Sequence, residues 1–293
     1  MPLKEYPLFE KLEIEAKAAF DAGFRDSPPD ISEFTFTNLY AWREAYHFDV
    51  SLIDGCVLVR SLKSGKSRFL PPIGKCGVLA VVDRVLMGSK GIFMRVPETI
   101  ASFFRDDSRF SVVSDRDNAD YVFNTGDLIT LRGKKYDGKR NLIKKFLSNY
   151  SYEYIKLDGS NAASCLTFEE KWCVVKDCDH VEGLDHERQA LKNMVDNFSG
   201  FSLLGGAIIV DGVIQAIALA EKLNSDTCVM HILKANPSLA GLYQVMLRDF
   251  LAKECGGYRY VNLEQDLGIE GLRKSKLSYQ PTRMIDKFTV SLA

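Results

Sequence analysis

The chain has 293 residues, is 46% hydrophobic and 26% charged, and carries a formal net charge of −1. That length suits two domains, with apolar material for two cores. A charge so near zero excludes a global attraction to nucleic acid or anionic membrane, so any such binding has to come from a local patch.

The seven cysteines stand at irregular spacing at 56, 76, 165, 173, 178, 228 and 255, several inside apolar runs. This favours buried reduced thiols over a disulfide framework, and hence a reducing compartment. Charged residues Lys4, Glu5, Glu10, Lys11, Glu13 and Glu15 leave no apolar stretch for a signal peptide in the first fifteen positions. No run of roughly 18 apolar residues offers a bilayer span. The expectation is a soluble, cytoplasmic protein.

In chain order, apolar spacing predicts a helix over 8–23, then one over 33–46 capped by Ser32. The period then changes to that of strands at 48–53 and 56–62, joined by Asp54-Gly55, a two-residue hairpin signal. A strand at 68–70 ends at Pro71-Pro72, and a helix over 77–89 and a strand at 92–96 follow. Residues 118–157 hold a short apolar run, a basic stretch leading into a helix, and a strand at 152–157. Helices around 167–172 and 184–198 come next. The second half then repeats the first: strands at 201–210 and 213–223 joined by Asp211-Gly212, a strand at 227–235, a helix over 239–254 and a strand at 258–263. A helix over 267–277 and a strand over 282–290 complete the chain. Gly77 to Arg84 resembles Gly241 to Arg248, which points to a duplicated β-β-β-α-β-α-β unit. The boundary falls near 157, giving lobes 1–157, with the basic segment 132–145, and 158–293.

Three places carry candidate chemistry. Asn262, Glu264 and Asp266 follow an apolar strand, where ligands of open α/β sheets bind, and the next helix brings Arg273 and Lys276. Such a set offers a carboxylate for proton transfer and cations for a phosphate-bearing donor. It is equally compatible with a capped, solvated helix. His231 and Lys234 lie on the strand 227–235, and a lone strand histidine is more often a satisfied core residue than a catalyst. The segment Arg132 to Phe146, with Lys134, Lys135, Lys139, Arg140, Lys144 and Lys145, suits a phosphate-rich partner such as a tRNA acceptor end or anionic lipid headgroups. A solvated helix face is the alternative. Ser64-Gly65-Lys66-Ser67 lacks the glycine of a P-loop at Arg60. Cys173, Cys178, His180 and His186 match no standard zinc spacing, so no metal site is expected.

Three stretches in order, Ser32 to Trp42, Leu131 to Asn141 and Asn262 to Pro281, resemble stand-alone bacterial proteins of the phosphatidylglycerol lysyltransferase C-terminal-domain family. The resemblance covers nearly the whole chain. It implies an α/β fold of two tandem GNAT-like lobes with mixed, mostly antiparallel sheets. It also implies kinship with Fem-type aminoacyltransferases and an aminoacyl-tRNA-like donor. Two positions depart from the pattern expected of relatives. Leu233 stands where His-x-Glu-Lys-Ala would place a carboxylate, and Leu263 stands where an arginine is expected. The stretch Asn236 to Leu242 lacks the basic residue and paired glycines of a GNAT pyrophosphate loop. Acetyl-CoA is therefore a less fitting donor than an aminoacyl-tRNA-like molecule. The reading that results is acyl or aminoacyl transfer to an amine or hydroxyl of a small-molecule or lipid acceptor. Glu264 or Asp266 would move the proton, Asn262 would orient the carbonyl, and Arg273 and Lys276 would hold donor phosphate. The alternatives are an acyl-CoA-dependent N-acyltransferase and a non-catalytic RNA- or membrane-surface-binding relative.

Overall fold

Asp54 and Gly55 both take left-handed backbone, with φ of 51° and 80°, and Asp211 and Gly212 do the same at 51° and 74°. Both pairs close two-residue hairpins whose twist suits the flanking strands. The computed structural model describes residues 3–62, 65–176 and 183–293.

The chain begins with β1 (Glu10–Lys11), α1 (Lys17–Asp26), α2 (Phe36–Ala41) and α3 (Arg43–Tyr46). The first hairpin is β2 (Phe48–Ile53) and β3 (Cys56–Ser61), followed by β4 (Arg68–Phe69), α4 (Val78–Ser89), β5 (Ile92–Pro97), α5 (Glu98–Ala101) and β6 (Phe110–Ser114). Then come β7 (Asp120–Asn124), α6 (Thr125–Thr130), α7 (Asp137–Asn149), β8 (Glu153–Leu157), α8 (Ser164–Lys176) and α9 (Leu184–Asp196). The second hairpin is β9 (Leu204–Val210) and β10 (Val213–Lys222), followed by β11 (Thr227–Ala235), α10 (Leu242–Glu254), β12 (Tyr260–Asn262), α11 (Glu270–Leu277), β13 (Arg283–Ile285) and β14 (Lys287–Leu292).

Two seven-stranded sheets result, ordered β1-β2-β3-β4-β5-β14-β6 and β8-β9-β10-β11-β12-β7-β13. They share one plan. An antiparallel hairpin is joined by a third antiparallel strand, and the fourth pairs parallel to the third, as β4 with β5 and β11 with β12. The parallel step follows from the helix between those strands, α4 or α10, which returns the chain to the same end. These are the two mixed, mostly antiparallel GNAT-like lobes expected from the sequence. In the first, Val81, Val82, Val85 and Leu86 of α4 bury against Leu58, Phe69 and Phe93. In the second, α10 packs across β9, β10 and β11 with Val245, Met246 and Phe250 fully buried.

The compact units do not follow the chain halves 1–157 and 158–293. One comprises Met1–Asp120, Gln265–Ile269 and Met284–Ala293, and the other Tyr121–Glu264 and Glu270–Arg283. The basic segment thus belongs to the second unit. The expected strand over 282–290 is two strands, β13 and β14, interrupted at Asp286 and placed in different sheets.

Other expectations are corrected at the N-terminus. The helix expected over 8–23 begins only at Lys17, because Glu10 and Lys11 pair with Val50 and Asp49 as a strand. Ser32 caps no helix. Its N–H and hydroxyl donate to the Asp120 carboxylate at 2.7 and 2.9 Å, while Thr35 Oγ1 accepts the Asn38 N–H at 3.1 Å and caps α2. Nor are all the thiols reduced, since Cys56 and Cys76 form a disulfide. The bridge between Val57 and Ile73 holds the two ends of that loop together.

Candidate active site in the second unit

The β10–β11 ladder pairs Leu219 with Ile232 but Ala220 with Met230, so His231 is an extra residue on β11. Such bulges re-aim a side chain and recur beside active sites. Here the bulge turns the His231 ring toward Glu221 near the end of β10 and toward Glu264 beyond the end of β12. Nε2 lies 2.8 Å from Glu221 Oε1, and Nδ1 lies 2.8 Å from Glu264 Oε1. The imidazole is buried. Burial alone would push its pKa down, but hydrogen bonds and charge from Glu221 and Glu264 lift it to about 10. His231 is therefore an imidazolium at neutral pH, donating from both nitrogens. It steers carboxylates and does not take up a proton.

β12 ends at Asn262, which is fully buried. Asn262 Oδ1 accepts the Glu264 N–H at 2.8 Å, an Asx-type turn that bends the chain out of the strand. Glu264 then takes left-handed backbone with φ +58°, a conformation costing about 1–3 kcal/mol for a residue of this kind. Lys276 of α11 reaches back to this turn and donates to the Leu263 carbonyl at 2.6 Å. Asn262, Glu264, His231 and Lys276 thus converge on one turn.

β11 and β12 are paired only through Thr227, Cys228 and Val229 with Tyr260, Val261 and Asn262. Beyond Val229, β11 runs on to Ala235 while β12 has ended, so the two strands part. The Asn236 N–H bonds the Gln215 carbonyl of β10 at 2.8 Å. Polar groups of successive strand residues face opposite edges, so those of Leu233 and Ala235 face away from β10, toward the parting. The Trp172 indole N–H of α8 donates to the Ala235 carbonyl at 3.1 Å. A pocket of about 180 Å³ lies at this end of β11, walled by Phe168, Trp172, Ile214, Gln215, Asn236 and Pro237.

Lys234 points to the other face and is buried. It pairs with Glu169 at 2.6 Å and Glu187 at 3.0 Å and lies 4.1 Å from the centre of the Trp172 ring. Its charge is matched twice over inside the protein. Asp266 belongs to the first unit, where Arg116 approaches its carboxylate at 3.1 Å and the Gly268 N–H donates to it at 2.9 Å. Arg273 is half-buried on α11. In the basic segment, Lys134 is exposed, Lys135 approaches Asp127 at 3.6 Å, and Lys139 donates to Ser278 at 2.6 Å, with partial burial lowering its pKa. Arg140 donates to the carbonyls of Leu131 and Gly133 and to Asp137.

The N-terminus of α10 follows the stretch where a phosphate loop would sit. A Cβ at Gly241 would lie 2.1 Å from the Leu142 carbonyl oxygen, so α7 packs directly on that turn. Among the described residues no group of three His, Cys, Asp or Glu side chains could hold a metal ion, and Cys178 and His180 lie outside those residues. Also among them, no helix is long and apolar enough to cross a membrane.

Sequence reasoning missed Glu221. Its signal was a lone carboxylate closing the apolar run Ile217 to Ala220, one short connection before the histidine strand. The bulge that turns His231 toward it left no trace in the residue pattern.

The arrangement has relatives. A crystal structure of a conserved protein of unknown function from Bacteroides thetaiotaomicron matches with a TM-score of 0.89 and 31% identity, over 97% of this chain and 99% of that one. L-PGS from Bacillus licheniformis shares the fold at 13% identity and a TM-score of 0.65, over 100% of this chain and 94% of that one. An uncharacterised protein of Mycoplasmoides gallisepticum is 24% identical over 180 residues, 60% of this chain but only 56% of that relative's length. The family model described as phosphatidylglycerol lysyltransferase, C-terminal, matches residues 24–291. The chain therefore belongs to the phosphatidylglycerol lysyltransferase C-terminal-domain family, built on a GNAT-like acyltransferase fold.

Proposed function

We propose that the second unit transfers an acyl or aminoacyl group from a phosphate-bearing, aminoacyl-tRNA-like donor to an amine or hydroxyl acceptor. The observation that carries this reading is the parting of β11 from β12 after Val229 and Asn262, with the Glu221–His231–Glu264 relay at its edge. An acyl arm entering the parting would bring its carbonyl oxygen to the Leu233 N–H, an oxyanion donor of the kind that stabilises tetrahedral intermediates. The acceptor nitrogen or oxygen adds to the carbonyl carbon and gives its proton to the Glu264 carboxylate. The intermediate then collapses and expels the donor's ester oxygen, which recovers that proton. Glu264 is the group in reach of the acceptor, and His231 and Glu221 are positioning residues that aim its carboxylate. Arg273 of α11 would meet donor phosphate. The close packing of Leu142 on Gly241 supports an ester donor over a coenzyme A thioester, whose pyrophosphate would want that helix turn.

The test is single-turnover transfer from aminoacyl-tRNA and from acyl-CoA to a panel of amines and alcohols, with Glu264→Gln beside the native chain. Transfer from the aminoacyl ester that drops about 10²–10⁴-fold in the variant, with unfolding unchanged, is expected. Equal turnover in both proteins would reject the role of Glu264. Transfer from acyl-CoA alone would reject the ester donor.

A further inference from the structure

Phe168 and Trp172 of α8, Ile214 of β10 and Pro237 give the pocket of about 180 Å³ at the end of β11 an apolar wall. Trp172 adds only carbon surface to it, because its indole N–H is taken by the Ala235 carbonyl at 3.1 Å. The amides that complete the wall are largely satisfied by the protein. Asn236 Nδ2 donates to Gln215 Oε1 at 2.8 Å, and Asn236 Oδ1 accepts the Ser238 N–H at 3.0 Å. Lys171 also lines the pocket and is exposed, while among the described residues no carboxylate lines it. The buried carboxylate behind Trp172, Glu169, is held by Lys234 at 2.6 Å. A cavity so lined takes up carbon readily and an unpaired cation only at high cost.

We propose that this pocket seats the side chain of the transferred aminoacyl group and selects an uncharged, apolar or aromatic one over lysyl. The inference rests on the transferase reading above and names its acyl group. α11 stands beside the end of β12, where Lys276 reaches the Leu263 carbonyl, and α8 stands at the end of β11. A donor held by Arg273 therefore extends its acyl group across the parting toward α8. From Leu233 to Asn236 the chain advances three residues, about 10 Å along an extended strand. An acyl group with its carbonyl oxygen at the Leu233 N–H thus carries a long side chain to the pocket. The ester C–O bond breaks and the bond to the acceptor forms as before. The side chain enters neither step and decides only which donor is held.

The experiment has two arms. Calorimetry measures binding of hydrolysis-resistant adenosine amides bearing phenylalanine, lysine or glycine, and single-turnover transfer uses the matching aminoacyl-tRNA esters. The phenylalanyl ligand should be preferred to the lysyl one by at least about tenfold in both. Lys171→Glu, which places a carboxylate at the pocket, should narrow that preference about fivefold. Ile214→Trp, which fills the pocket, should lower the ratio of phenylalanyl to glycyl binding about tenfold, a change that a general loss of structure does not produce. Lysyl bound or transferred as well as phenylalanyl would overturn the proposal, as would no binding of any amide or a phenylalanyl-to-glycyl ratio unmoved by Ile214→Trp. Selective binding of the phenylalanyl amide without turnover of any ester would leave the pocket assignment standing and reject the transferase reading. Transfer of lysyl alone would do the reverse.

Discussion

His231 Nδ1 lies 2.8 Å from Glu264 Oε1, joining an extra residue in one strand to a left-handed turn beyond its neighbour. Neither irregularity helps the sheet. The bulge leaves a ladder position unpaired, and the φ of +58° at Glu264 is costly. Both are held by the ion cluster they create. A site that stores cost in the backbone and recovers it in side-chain charge becomes sensitive to the protonation of one ring.

That sensitivity gives the first prediction. The folded pKa of His231 is raised to about 10 from 6.5. A raised pKa contributes stability that is fully present below the unfolded value and is lost as pH climbs through the folded one. Urea unfolding should therefore show native stability falling between about pH 6.5 and 10 relative to His231→Gln, by up to a few kcal/mol. NMR titration of the ring should place its pKa near 10 in the native chain and more than about one unit lower in Glu221→Gln, which removes one of the two carboxylates. A ring that titrates near 6.5 in both proteins would show that the relay does not hold charge.

In the first unit the buried cation is Lys287. It lies 2.6 Å from Asp120 and 2.5 Å from Glu33, and Arg95 approaches Glu33 at 3.0 Å. Lys287→Met leaves two carboxylates in the interior without their ammonium, a change that costs about 3–5 kcal/mol. Chemical denaturation at pH 7 reads this directly. Burial would raise the Glu33 pKa, yet Lys287 and Arg95 hold it below 4.5. A lowered pKa stabilises above the unfolded value, and that stability is lost as pH falls through the folded one. The gap between native and variant should therefore narrow below about pH 4.5. A gap that widens in acid would contradict the charge account.

How much of this could be read from residues alone varied by kind of information. The hairpins at Asp54-Gly55 and Asp211-Gly212 were legible because a two-residue turn demands particular backbone angles, and few residues accept them. The strand 227–235 and the helix that follows were legible from period. The stretch 282–290 was read as one strand because hydrophobic spacing does not record which sheet a strand joins. Asn262, Glu264 and Asp266 all stand out as polar residues after an apolar strand, but residue pattern does not record that Asp266 belongs to the first unit. Glu221 was missed because its partner is set by a register shift, a property of two strands together.

Ser32 illustrates the same limit and can be tested. Its residue type and place before a helix predicted a cap, yet its hydroxyl bonds Asp120, 88 positions away, and Thr35 caps α2. Thr35→Ala should cost about 1 kcal/mol, as a lost helix cap does. Ser32→Ala should cost about 1–3 kcal/mol, because it leaves part of a buried carboxylate unsatisfied. A double-mutant cycle separates them. Ser32→Ala combined with Asp120→Asn should be strongly non-additive, while Thr35→Ala with Asp120→Asn should add. Additivity in both cycles would mean the long-range bond contributes nothing.

The Cys56–Cys76 disulfide closes a loop of 20 residues that contains β3 and β4. Closing a loop of that length restricts the unfolded chain by about 3 kcal/mol in the chain-entropy account. The double variant Cys56→Ser, Cys76→Ser should lose about that much stability when both proteins are purified without reductant. Alkylation before and after reduction, followed by peptide mass mapping, should recover the two cysteines as one linked pair in the native chain. The free cysteines 165, 228 and 255 are buried and should react only after unfolding. If the double variant unfolds at the same denaturant concentration as the native chain, and no linked peptide is found, the thiols are reduced as the residue pattern first suggested. The fold around Val57 and Ile73 must then be held by its backbone bridge alone.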